Sequence, residues 1–109
     1  NAAEFEKSVA DKLGMPEQIP FRYRSTYFNH IFSSDGYAAG YYTYIWAQVL
    51  DCDGFEVFKK NGIFDAETAA KLKVALQSGN DEDPMVLYED FAGHRPNADA
   101  LLRDKGLDK

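Results

Sequence analysis

Apolar residues recur along this chain at helical spacing from its first turn onward. Phe5, Val9 and Leu13 repeat every four positions, which predicts a helix closed by Gly14. Pro16 and Pro20 break that rhythm and predict a loop to about Phe21. Residues 23–32 fit either a short helix or an extended piece, and Ser33-Ser34-Asp35-Gly36 supply turn chemistry. The next apolar run predicts the main helix over 37–50, then a shorter one over about 53–60 that ends near Asn61-Gly62. Asp65 is placed to cap a helix over 66–77, with Glu67 in the first turn, where the helix dipole favours an acid. Asp83-Pro84 opens another helix to about Phe91, and a last one follows Pro96 over about 98–105. Few segments read as strands and no internal repeat is visible, so the predicted class is all-α.

Composition narrows the partners. The net charge is −6, from 12 basic and 18 acidic residues, and Lys59-Lys60 is the only adjacent basic pair. A surface so poor in clustered cations argues against nucleic acid. The longest uncharged run, 36–50, is shorter than the roughly 18 apolar residues of a membrane span and contains Gly, Thr and Gln. No membrane partner is expected, and with no signal-like N-terminus the cytoplasm is the expected compartment. Asn1-Ala2 read as an expression remnant. Cys52 stands alone, so no internal disulfide can form, and it reads as a small hydrophobe.

Two motifs lead nowhere. Asp51-Cys52-Asp53-Gly54 opens like a calcium loop, but the glycine position is Glu56 and the bidentate glutamate position is Gly62. A turn between two helices is expected there instead. His94 sits in Gly93-His94-Arg95-Pro96 with no second His or Cys at ligand spacing, and reads as an exposed loop residue. No metal site is expected in the chain.

The unusual feature is aromatic. Within the predicted helix 37–50, about 100° per residue brings Tyr37, Tyr41, Tyr44 and Gln48 within roughly 60° of one another. Ala38, Tyr42, Ile45 and Val49 form a separate, more apolar stripe suited to packing. Two readings of the tyrosines stay open: packing residues whose hydroxyls reach solvent, or the wall of a binding cleft. In the second reading each phenol donates to a peptide carbonyl, or to the oxyanion formed when that carbonyl is attacked. His30, across the Ser/Asp/Gly loop, adds another donor.

The run Tyr23-Arg-Ser-Thr-Tyr-Phe-Asn-His-Ile-Phe32, followed by Gly36-Tyr-Ala-Ala-Gly-Tyr-Tyr-Thr-Tyr-Ile-Trp46, resembles the C-terminal part of the thimet oligopeptidase and peptidyl-dipeptidase family. The likeness continues through Val49-Leu50-Asp51, Gly62-Ile63-Phe64-Asp65 and Asp83-Pro84-Met85 to Leu107, and is strongest toward bacterial peptidyl-dipeptidases. The resemblance implies that residues 1–109 are the C-terminal helical segment of a zincin-like catalytic domain. It implies a parent enzyme that hydrolyses short peptides with zinc, releasing C-terminal dipeptides. The zinc ligands, an HExxH helix and a further glutamate, would lie upstream, so the segment alone would bind no zinc and be inactive.

By the same resemblance, Tyr44 hydrogen-bonds the carbonyl becoming tetrahedral and His30 stands near the scissile region, both as catalytic residues. Tyr37, Tyr41 and Gly36 contact substrate. The implied partners are a short peptide and the N-terminal part of the same protein. The family carries successive glycines where this chain has Ser33-Ser34-Asp35-Gly36, a departure that bears on loop flexibility and specificity. The alternative is a non-catalytic helical module that grips peptide in a tyrosine-lined groove.

Overall fold

The computed structural model describes residues 1–108. These are helical with connecting turns, and no strand occurs among the described residues. No described helix is long and apolar enough to cross a membrane. The chain forms two compact units, one from Asn1 to Tyr41 and the other from Tyr42 onward.

The first unit opens with α1, Ala2–Leu13. Asn1 belongs to this helix as its cap, its side chain accepting from the Ala3 N–H at 3.0 Å. At the other end Gly14 takes the left-handed conformation (φ 64°), and Met15 N–H reaches back to the Ala10 carbonyl. Pro16 and Pro20 then hold the chain out of helix. Residues 23–28 form turns, and only Asn29–Phe32, α2, closes a helical turn. A 3-10 turn at Asp35–Tyr37 follows, capped by Ser34.

The second unit departs from the expected pattern in one large respect. The two helices predicted over 37–50 and 53–60 are a single helix, α3, Thr43–Asn61. It starts late because Ala39 sits at a left-handed φ of 51°, which no α-helix accommodates. It continues through Asp51-Gly54, expected as a turn, because Asp53 and Gly54 are buried against neighbouring elements while Asp51 stays exposed. Gly54 is buried where a Cβ would come within 3.3 Å of the Phe91 ring, so absence of a side chain there serves packing. Asp53 is 3% exposed and serves as an acceptor for neighbouring elements.

After α3 the boundaries follow the sequence closely. Gly62, at φ 122° and ψ 135°, stops the helix in a conformation that disfavours any Cβ. Asp65 caps α4, Ala66–Gln77, accepting from the Thr68 N–H at 2.7 Å. That bond and a second from the Thr68 side chain hold the Asp65 carboxyl below its ordinary range. Asp83 caps α5, Pro84–Ala92, which ends at a left-handed Gly93. α6 covers Asp99–Asp104, its first N–H held by the Asn97 side chain at 3.0 Å. The buried apolar core consists of Val49 from α3, Phe91 from α5, and Ala100 and Leu101 from α6.

Candidate functional site

The aromatic residues of the first unit gather around His30. Its ring centroid lies 6.0 Å from that of Tyr37 and 6.3 Å from that of Tyr41, both edge-on, and the two tyrosines are 5.2 Å apart. Two rings that the sequence reading gave no role complete the group. Phe28 meets Tyr41 edge-on at 5.0 Å and lies 5.9 Å from His30, while Tyr23 stacks on Phe28 at 4.6 Å and 13°. Offset-stacked and edge-to-face contacts of this kind add about 0.5–1.5 kcal/mol per pair beyond area burial. The rings flank the imidazole without burying it, since His30 itself remains exposed.

Backbone geometry explains the grouping. Tyr37 and Tyr41 precede α3, so the helical face expected to carry Tyr37, Tyr41, Tyr44 and Gln48 does not exist as such. The two tyrosines meet because the chain folds back between them. Gly40 N–H donates to the Tyr37 carbonyl at 3.1 Å, with Ala39 in its left-handed conformation at the bend. Gly36 lies in the 3-10 turn, its N–H 3.4 Å from the Ser34 hydroxyl. A Cβ added there would meet that hydroxyl at an ordinary 3.5 Å, so the position does not require glycine for space.

Tyr44 belongs to the second unit, in the first turn of α3, and is 53% exposed. The structure thus brings His30, Tyr37 and Tyr41 together, and places Tyr44 three residues further along the chain. The stripe expected to pack beside it is corrected as well. Tyr42 and Ile45 are 66% and 65% exposed, and only Val49 of that stripe is buried. Residues 43–48, the first turns of α3, are all exposed.

A second polar group in the second unit was not foreseen. The Tyr88 hydroxyl donates to Asp53 Oδ2 at 2.6 Å, and the Asn97 amide donates to Oδ1 at 3.0 Å. His94 Nδ1 stands 3.6 Å from the same carboxylate, half-exposed, and 2.9 Å from the Arg95 carbonyl oxygen. Burial, and then the adjacent Asp53 carboxylate, push the Tyr88 phenol well above its ordinary range, so it remains a donor. Extending the helical pattern of α3 across Asp53 would have turned this residue inward and exposed the signal. Among the described residues, no three His, Cys, Asp or Glu side chains converge as metal ligands would.

The described residues are all helical with connecting turns, and one aromatic cluster joins His30 to Tyr37 and Tyr41. The comparisons give the particular family. The sequence pattern of Peptidase family M3 matches residues 2–107, and the chain belongs to that family. It is 43% identical, over its whole length, to a dipeptidyl carboxypeptidase of Salmonella typhimurium, and covers 16% of that protein. It is 41% identical to an oligopeptidase A of Haemophilus influenzae, with 93% of this chain and 15% of the relative aligned. A dipeptidyl carboxypeptidase of Escherichia coli is 42% identical over 95% of this chain and 15% of its own. The chain therefore spans about one-sixth of the length of the curated relatives it matches.

Proposed function

We propose that the complete protein is a peptidase that hydrolyses short peptides, releasing C-terminal dipeptides, and that residues 1–109 form one wall of its substrate cleft. The gathering of His30, Tyr37 and Tyr41 carries this reading. It sets an imidazole and two phenols, each able to donate or accept, on one aromatic surface where an extended backbone could lie. Family membership supplies the class of reaction, and the relatives' names point to dipeptide release and oligopeptide cleavage.

Zinc belongs to this reading as the cofactor of the complete enzyme. The described residues do not fit a metal centre, since no ligand cluster forms among them. The role of this chain is accordingly one of binding and orientation. Tyr37, Tyr41 and Gly36 line the substrate and His30 stands beside the bond to be cut. The Tyr44 hydroxyl donates to the carbonyl oxygen as charge develops on it, a contact stronger in the transition state than in the ground state.

The decisive experiment is Tyr44→Phe in the complete enzyme. This change keeps the ring and removes one donor, so kcat should fall about 10²–10³-fold with KM nearly constant. Tyr42→Phe, two residues away and also exposed, should retain activity. A Tyr44→Phe enzyme with parental kcat would remove the catalytic role.

A further inference from the structure

We propose that Glu6 is a positioning residue whose carboxylate anchors the Arg24-Ser25 segment to α1 and thereby sets the rings around His30. Glu6 is one of few buried polar residues, 8% exposed on a helix whose other residues are exposed or half-exposed. Its Oε1 accepts from the Ser25 N–H at 2.6 Å and from the Ser25 hydroxyl at 2.8 Å, and its Oε2 accepts from Arg24 Nη1 at 3.0 Å. Three donors converge on one carboxylate from residues 18 and 19 positions away. Charge-assisted bonds of this kind are roughly twice as strong as neutral ones.

The location gives the anchor its consequence. Tyr23, which stacks on Phe28, directly precedes Arg24, and Phe28 lies three residues after Ser25. Regular backbone bonding does little between these points: the turns there are closed by Tyr27 N–H to Arg24 and by Asn29 N–H to Tyr27. The rings at 23 and 28 are thus displaced together if Ser25 leaves α1, and Phe28 carries the contacts to both His30 and Tyr41. A carboxylate suits this task because it has two acceptor oxygens and no donor. Glutamine would turn an amide N–H against Ser25 or Arg24. The effect on catalysis rests on the reading of the cluster given above, whereas the anchoring itself does not.

The test uses this 109-residue chain first. Nuclear Overhauser contacts between the ring protons of Phe28 and Tyr41 report the cluster, and protection of the Ala100 and Leu101 amides reports the second unit. Glu6→Gln should lose the ring contacts while that protection persists. Glu4→Gln, on the exposed face of the same helix, should lose neither. If Glu6→Gln does not fold, Ser25→Ala removes one of the three donors and should weaken the contacts at least twofold. Ring contacts of parental intensity in Glu6→Gln, or in Ser25→Ala where that variant is used, overturn the proposal. In the complete enzyme, Glu6→Gln should lower kcat/KM about 10²-fold, as expected for misplaced substrate-contacting groups. Lost ring contacts with full activity would keep Glu6 as the anchor and overturn the catalytic reading of the cluster.

Discussion

Replacing Asp53 with alanine should destabilise the second unit more than any surface substitution. The carboxylate accepts from Tyr88 and Asn97 at 2.6 and 3.0 Å, and bonds to a charged acceptor contribute about 1.5–3 kcal/mol each. The two are not equal. Tyr88 is half-buried, so its hydroxyl would lose its partner where water replaces it poorly, whereas exposed Asn97 would recover a bond to solvent. A loss of about 3 kcal/mol follows, most of it through Tyr88. Removing a buried charge also recovers desolvation energy, but that offset dominates only when the partners are replaced together. Here the hydroxyl stays behind.

Against a total of about 5–15 kcal/mol for a domain of ordinary stability, such a loss should move the urea midpoint plainly at pH 7. Tyr88→Phe and the double variant complete the cycle. If the Asp53–Tyr88 bond carries the effect, the double variant should cost less than the sum of the singles by about 1–2 kcal/mol. A loss below about 1 kcal/mol for Asp53→Ala, or strict additivity in the cycle, would refute the reasoning.

Gly62→Ala should cost about 1–3 kcal/mol in a thermal or urea melt, because φ 122° with ψ 135° is strained for any residue with a Cβ; an unchanged midpoint would show that the helix end relaxes freely. Acid should release the α4 cap. The Asp65 carboxyl is depressed in the folded chain, so its contribution is complete above the unfolded value near 4 and is lost as pH falls through the lower folded one. Protection of the Thr68 amide, corrected for intrinsic exchange, should be level from pH 7 to 5 and drop below about 4, with no such drop in Asp65→Asn. The isolated chain should also bind a hydrophobic dye while folded, since Phe64 is 98% exposed and Leu76 75%; folded chain without dye binding would contradict this.

The sequence displayed its helix ends better than its helix middles. Asp65, Asp83 and Gly14 act through bonds within a few residues, so their caps could be placed from local pattern alone. The continuity of α3 could not. Asp53 and Gly54 are poor helix-interior residues by local propensity, and only Phe91, Tyr88 and Asn97, more than thirty residues away, make them suitable. The site shows the same division. Tyr37 and Tyr41 were grouped for a helical reason that the structure replaces with a turn, and His30 was added only as a neighbour across the loop. Glu6 was invisible, because nothing near it in sequence announces that its donors lie 18 and 19 residues on.

The unbroken course of α3 fixes a phase relation. Tyr44 near its start and Asp53 within it are nine positions apart on one rod, about 13.5 Å along the axis at 1.5 Å per residue. Had the chain broken at Asp51-Gly54, a joint there would have absorbed an inserted or deleted residue. Without a joint, one residue added between them rotates Tyr44 by about 100° relative to the Asp53 anchor and slides it about 1.5 Å. The spacing between these two residues is therefore a dimension of the protein, and changes of length between them should be far less forgiving than changes of identity.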